Sequence, residues 1–393
     1  LKGGKIMLRK AEFRMPGTLL QGPGCLEDLG REVGKLGCKK ALIVSDEVMK
    51  KVGYVQKVET LLKNAGVDYA VFTDVPGEPK DTYVEAGLEV YRTEKCDFLV
   101  AIGGGSPIDT AKAIGVLHTN GGKITDYMGA EKVKKPIPPL VAIPTTAGTG
   151  SEVTRFTIIT DTQNDVKMLI NSSFIIPTVA IADPTLTLSA PPKTTAATGM
   201  DAFCHAVEAY VSKREQPTTD LLALEAIRLI SQNIRRAWCN GEDLEARSNM
   251  MRAATLAGIA FNNSSVTLIH GMSRPIGAVF HVAHGVSNAL LLPTWAEFTY
   301  IAKPEKFAKV AEVMGENIEG LSVLDAAWEA VEAISRLCED VEIPSIKDMG
   351  IAKEDYERAL PKMARDAIAS GSPANNPRSA TEEQIIELYR KAY

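Results

Sequence analysis

Up to about residue 185, short apolar runs alternate with helix-length stretches, and beyond Lys193 the strand signal disappears. That change of period constrains the fold most. "KKALIVSD" (39–46), "DYAVFTDV" (68–75), "DFLVAIGGG" (97–105) and "PLVAIPTT" (139–146) read as strands, each followed by a helical segment. Such spacing predicts βαβ units around a parallel sheet buried on both faces. "RFTIITDTQNDVKMLI" (155–170) reads as a hairpin turning at Thr162–Asp165, and "TVAIADP" (178–184) as one more strand. From Lys193 onward, stretches such as "TTDLLALEAIRLISQNIRRAW" and "VLDAAWEAVEAISRLCEDV" space their apolar residues three to four apart, the period of an amphipathic helix. The expected architecture is an α/β domain over residues 1–185 and an all-α domain over 186–393. A cleft between two such domains is a common place for a small-molecule site.

Composition narrows the function class. Apolar residues make up 45% and charged residues 24%, a globular balance. A net charge of −5 argues against nucleic acid or an anionic membrane as the main partner. No apolar run is long enough to span a bilayer, and the opening "LKGGKIMLRKAEF" lacks the apolar centre of a signal peptide. Leu1 to Ile6 read as a remnant ahead of a native start at Met7. Six scattered cysteines with no CxxC pair indicate reduced thiols and a cytoplasmic setting.

In "CDFLVAIGGGSPIDTAKAIG" (96–115) a strand ends in Gly103, Gly104 and Gly105, Ser106 can N-cap the helix, and Pro107 suits its first position. Three glycines let a backbone approach a ligand, and the helix N-terminus offers free N–H groups to a pyrophosphate. The same letters also suit a ligand-free tight turn. Asp109 can support the first turn of that helix. "PTTAGTGSE" (144–152) adds Thr145, Thr146 and Thr149 after another strand, hydroxyls suited to ribose, phosphate or amide. Asp46 ends "ALIVSD", where an acid can bind a ribose diol and repel a 2′-phosphate, favouring NAD over NADP; equally it can N-cap "EVMKKVG".

"TGMDAFCHAVEAY" (198–210) places Asp201 and His205 four apart, on one face of an apolar helix. Three of the five histidines, His270, His281 and His284, crowd into "HGMSRPIGAVFHVAHG". A carboxylate with imidazoles suits Fe(II) or Zn(II) rather than Mg or Ca. Cys204, which as a thiolate would favour zinc, reads as a small core residue.

With these residues in view, the chain resembles the iron-dependent (group III) alcohol dehydrogenases over nearly its whole length. The carriers are "AIGGGSPIDTAKAI", "AIPTTAGTGSEVT", "ATGMDAFCHAVEAY" and "HGMSRPIGAVFHVAHGVSNALLLP". The resemblance implies a dehydroquinate synthase-like fold, with an N-terminal dinucleotide-binding domain and a helical domain holding Fe2+ or Zn2+ in the cleft. It places metal ligands at Asp201, His205, His270 and His284, and His281 at a non-ligand position facing the cleft. It places dinucleotide contacts at Asp46, Gly103 to Ser106, Asp109, Thr145, Thr146, Thr149 and Lys167, and a substrate pocket at Phe156 and Phe261. It implies NAD(P)(H), with Asp46 and Glu78 favouring NAD(H), a small alcohol or aldehyde as substrate, and a homo-oligomer.

Three positions depart from the family pattern. Arg274 stands where members commonly carry His, Ala283 where they carry Pro, and Glu78, expected near the adenosine, where they carry Asn. Arg274 cannot shuttle a proton because guanidinium stays charged, which leaves His281 as the expected shuttle. A cation beside a divalent ion is unfavourable unless an anion lies between them. Arg274 therefore either grips an anionic group on a short aldehyde, or it is structural, paired with an acid or capping a helix end before Pro275. The expected activity is oxidation of short primary alcohols or diols with hydride transfer to NAD, with reduction of an anionic aldehyde as the alternative. A glycerol dehydrogenase, a dehydroquinate-synthase-like cyclase and a non-catalytic NAD- or metal-sensing protein are the competing readings.

Overall fold

The computed structural model describes residues 10–164 and 166–393. The expected start at Met7 and Asp165, the last residue of the expected hairpin turn, lie outside the described residues.

Six strands form one parallel sheet: β1 (Thr18–Gln21), β2 (Lys40–Val44), β3 (Asp68–Phe72), β4 (Phe98–Gly103), β6 (Leu140–Pro144) and β9 (Val179–Ala182). Their order is β1-β9-β6-β4-β2-β3, with every pairing parallel. A smaller sheet joins β5 (Gly129–Ala130) to the antiparallel hairpin β7 (Phe156–Asp161) and β8 (Val166–Asn171). β4 and β6 are buried along their whole length, as a strand covered on both faces must be. Helices α1 (Leu29–Leu36), α2 (Glu47–Val52), α3 (Tyr54–Asn64), α4 (Asp81–Thr93) and α5 (Gly105–Asn120) accompany these strands. The cores on the two faces are separate, one gathering Val55, Val58 and Leu62 of α3, the other Ala111 and Ile114 of α5.

From Pro192 on, the described chain is helical: α6 (Pro192–Val211), α7 (Pro217–Cys239), α8 (Leu244–Asn263), α9 (Leu268–Phe280), α10 (His284–Thr299), α11 (Pro304–Met314), α12 (Val323–Asp340), α13 (Lys353–Ala369) and α14 (Glu382–Lys391). One continuous core runs through them, centred on α6, whose stretch from Gly199 to Val211 is buried throughout. The two parts meet closely. Gly150, at a left-handed φ of 62°, faces Gly258 of α8 so tightly that a Cβ on Gly150 would lie 2.6 Å from the Gly258 Cα. Among the described residues, no helix is long and apolar enough to cross a membrane.

The expected strands all form, while β1 and β5 escape the sequence pattern. β1 is four residues long, and β5 has only two. Tertiary pairing, β1 with β9 and β5 with β8, makes strands of these two segments.

Candidate active site

β2, β4 and β6 are neighbours in the sheet, so their carboxyl ends form one rim. Ligands of open α/β sheets bind outside such carboxyl ends. Asp46 follows β2, Gly103 ends β4 and opens into α5, and Thr145 follows β6 with its N–H donating to the Gly103 carbonyl. Asp46 does cap α2: its Oδ1 accepts from the Val48 and Met49 N–H groups. Its Oδ2 turns the other way, 3.4 Å from where a Cβ on Gly103 would sit. That Cβ would also lie 2.7 Å from Pro107 Cγ, and Gly103 has a φ of 150°, so only glycine suits the position. Thr146 and Thr149 close over Gly104 and Gly105; a Cβ on Gly105 would stand 2.9 Å from Thr149 Cγ2.

The start of α5 corrects one expectation. The helix begins at Gly105 with Gly104 as its cap, and no side chain caps it. Ser106 therefore lies inside the first turn rather than at the cap, and Pro107 is its third residue. No side chain caps the free N–H groups at the helix start, an arrangement that suits an anion. Asp109 is engaged within the protein, Oδ1 accepting from Ser151 Oγ at 2.5 Å and Oδ2 from the Ile158 N–H at 2.8 Å.

Asp201, His205, His270 and His284 come together from three helices, their donor atoms all within 4.8 Å of one another. Asp201 and His205 stand on one face of α6, His270 on the first turn of α9, and His284 at the start of α10. Asp201 Oδ1 lies 3.8 Å from His270 Nε2 and 4.0 Å from His284 Nε2. These three atoms surround Asn288 Nδ2, at 2.6, 3.0 and 3.2 Å respectively. An amide nitrogen has only two hydrogens, so one of the three acceptors goes unmatched. His205 Nδ1 is buried without a hydrogen-bond partner. Converging lone pairs with too few protons among them fit a cation. Burial lowers the pKa of His270 well below the ordinary range and that of His284 to about 4, so both imidazoles are neutral, the form that binds metal. Burial works against the charge of Asp201, yet its pKa is lowered, with the surrounding His205, His284 and His270 and the Asn288 amide that donates to it acting against burial.

Glu208 and Asn288 escaped the sequence reading. Glu208 follows His205 on the same helix face; its Oε2 meets His270 Nδ1, and its Oε1 accepts from the Thr267 N–H, the Thr267 hydroxyl and the Ile269 N–H. That contact fixes the His270 ring so that Nε2 faces Asp201, the carboxylate–histidine arrangement common behind metal ligands. The usable signals were Glu208 seven residues after Asp201 in an apolar helix, and Asn288 one turn after His284.

A cavity of about 400 Å³ opens from this cluster to the α5 N-terminus, touching Gly105, Ser106, Asp109 and Thr149. Phe156 and Phe261 form one wall as a stack, ring centroids 5.9 Å apart, and Phe261 stacks on His205 at 4.2 Å. Lys167 of β8 lines the cavity and pairs with Glu78 at 3.1 Å. Glu78 lines the same cavity, and its charge acts on His284. Cys204 is enclosed in the helical core, where burial keeps its thiol protonated. Ala283 precedes α10 without capping it.

Arg274 lines the cavity one turn after His270. Its Nη1 donates to Ser372 Oγ at 3.1 Å, and its Nε is buried without a partner. No carboxylate of the described residues lies within 4.0 Å of it. α9 continues through Pro275 to Phe280, so Arg274 caps no helix end. His281 departs from expectation. It ends α9 in the left-handed conformation (φ 57°), which turns it outward; it is exposed and forms no part of the cavity wall.

The iron-containing alcohol dehydrogenase model matches residues 16–184, and the C-terminal model of the Fe-containing alcohol dehydrogenase family matches 195–393. The 1,3-propanediol dehydrogenase of Citrobacter freundii is 46% identical over 388 residues, 98% of this chain and 99% of the relative. The NAD-dependent methanol dehydrogenase of Bacillus methanolicus is 43% identical over 97% of this chain and 99% of its own. The crystal structure of a 1,3-propanediol oxidoreductase superimposes with a TM-score of 0.95 at 45% identity, covering 98% of this chain and all of the other. This chain belongs to the iron-containing alcohol dehydrogenase family.

Proposed function

We propose that this protein is an NAD(H)-linked, metal-dependent dehydrogenase of short primary alcohols or diols and a reductase of the matching aldehydes. The observation that carries the reading is the convergence of Asp201, His205, His270 and His284 in a cavity whose far wall is the open N-terminus of α5. Those four residues would hold the ion, iron or zinc, since both accept this donor set. When bound, the ion supplies Lewis acidity to an alcohol or carbonyl oxygen, and NAD(H) supplies the hydride acceptor or donor.

The chain's own residues do the rest. The Gly103–Ser106 backbone and the α5 dipole suit a pyrophosphate. Thr145, Thr146 and Thr149 border that loop, and Lys167 borders the cavity. Asp46, with Oδ2 free beside Gly103, offers an acceptor to a ribose diol and opposes a 2′-phosphate. Phe156 and Phe261 bound the substrate space and exclude water. Six unpaired cysteines support a reducing, cytoplasmic setting, and the exposed Phe13, Met15 and Leu221 support self-association. The lack of an acid beside Arg274 favours a second reading, in which the aldehyde carries an anionic group.

A panel of short aldehydes assayed with NADH and NADPH on iron-reconstituted enzyme tests this. Reduction is expected with NADH favoured by about tenfold or more, the effect of one unfavourable charge contact. No turnover of any short aldehyde with iron or zinc would contradict it.

A further inference from the structure

Arg274 is not alone. Arg155, just ahead of β7, and Arg214, just after α6, border the same cavity, and neither has a carboxylate within 4.0 Å among the described residues. Other arginines are satisfied within the protein: Arg228 pairs with Glu225, Arg235 with Asp340 and Arg390 with Glu357, while Arg247 and Arg378 donate to backbone carbonyls. Arg155 Nε and Arg274 Nε are both buried with no hydrogen-bond partner. Burial and the charge of Arg214 both weigh against the Arg155 guanidinium.

Glu131 and Glu12 act on Arg155 only from beyond 4.0 Å, and the acids nearer the cavity are committed to other partners. Glu78 pairs with Lys167, both Asp109 oxygens accept from Ser151 and Ile158, and both Glu208 oxygens serve α9. Buried guanidinium N–H groups without an acceptor are costly. Three arginines without an acid within 4.0 Å border one cavity, Arg274 and Arg155 with buried unpartnered N–H groups and Arg214 exposed at the rim, so an anionic ligand there would find donors and opposite charge. A guanidinium is the side chain best shaped to bind two oxygens of an oxyanion at once.

We propose that Arg274, Arg155 and Arg214 form an oxyanion subsite beside the metal cluster, and that the preferred substrates are short aldehydes and alcohols bearing a carboxylate, sulfonate or phosphonate at the far end. The proposal rests on the oxidoreductase reading above and specifies its substrate. The spacing suits a short molecule: Arg274 lies one turn from His270 on α9, where side chains stand roughly 6 Å apart at their base. Phe156 continues the apolar wall between the ends, its ring 5.7 Å from the Arg155 guanidinium carbon. In reduction, hydride from NADH goes to the carbonyl carbon and a proton from water to its oxygen; the anionic group is unchanged.

The test compares 4-oxobutanoate with butanal, and sulfoacetaldehyde and phosphonoacetaldehyde with propanal, on the metal-loaded enzyme with NADH. The ratio of kcat/KM, anion over neutral partner, should exceed about tenfold for at least one pair and fall at least about tenfold in Arg155→Gln and in Arg274→Gln, the size of one charge-assisted contact. The exposed, acid-paired Arg358→Gln should leave that ratio unchanged. Which pair gives the highest ratio identifies the oxyanion. Neutral aldehydes reduced as well as or better than their anionic partners would overturn the subsite while leaving the dehydrogenase intact. So would an unchanged ratio in the variants, or a weakened NADH Kd as their only effect, which would assign the arginines to the cofactor. If no aldehyde is turned over, the parent reading fails, and calorimetry with succinate and ethanesulfonate decides the subsite by itself. Binding that weakens tenfold in Arg155→Gln supports it, and no binding by wild type overturns it.

Discussion

His270 is constrained from two sides. Glu208 holds its Nδ1, and its Nε2 points toward Asp201 and Asn288. Glu208 in turn accepts three hydrogen bonds from Thr267 and Ile269, so the carboxylate ties the start of α9 to α6. Burial pushes the Glu208 carboxyl up to about 7, and Glu208→Gln keeps its size while removing the acid that orients the ring. Metal affinity should then weaken about 10- to 100-fold, as for other carboxylates behind ligating histidines, read by competition with a chromophoric chelator while circular dichroism stays that of wild type. Unchanged affinity would show Glu208 to be a structural tie only. At this scale the sequence was partly legible. Asp201 and His205 declare themselves by a spacing of four in an apolar helix, whereas Glu208 is one further acid on that helix with nothing local to mark it. Arg155 and Arg214 were not legible, because their lack of acids depends on residues far away in the chain. His281 points outward because a left-handed helix end, not proximity to His284, sets its direction.

At the scale of elements, α5 links the cofactor rim to the substrate wall. Its N-terminus opens on the cavity, and its fully buried Lys112 donates to the Ser151 carbonyl at 2.7 Å, to Ser151 Oγ at 2.9 Å and to the Phe156 carbonyl at 2.7 Å. The segment from Ser151 to Phe156 is thereby locked to the helix. Burial lowers the Lys112 pKa from 10.5 to about 8, against the fields of Asp109 and Glu152. Below pH 8 both folded and unfolded chains hold the proton, and the cost of burying it is present in full. Between about pH 8 and 10.5 the unfolded chain keeps a proton that the folded chain has released, so this group's contribution to stability rises with pH. The full swing is roughly 3 kcal/mol. Thermal unfolding of wild type and Lys112→Met should show their Tm difference shifting in favour of wild type from pH 7.5 to 10. A constant difference would mean that Lys112 titrates as it does in water. The sequence marked α5 and its glycines correctly, yet it put Ser106 at the cap. Where a helix begins depends on the extended conformation of Gly104, which the neighbouring Thr146 and Thr149 loop accommodates, and residue type does not encode that.

Across the whole molecule, a parallel sheet and a helical bundle each bury a core of their own, and the reactive groups collect where they meet. That division was readable from the change in hydrophobic period alone. The close seam, where Gly150 meets Gly258, was not, because it is a tertiary approach between segments with ordinary local patterns. Activity depends, in the function proposed here, on a metal that Asp201, His205, His270 and His284 would hold. Titrating Fe2+ into chelated enzyme under anaerobic conditions, while recording bound metal and aldehyde-dependent NADH oxidation, tests it directly. The predicted result is one ion bound per chain, activity rising in step with occupancy, and both lost in His270→Ala and Asp201→Asn. Full activity in the chelated enzyme, or metal bound equally well by both variants, would contradict the account.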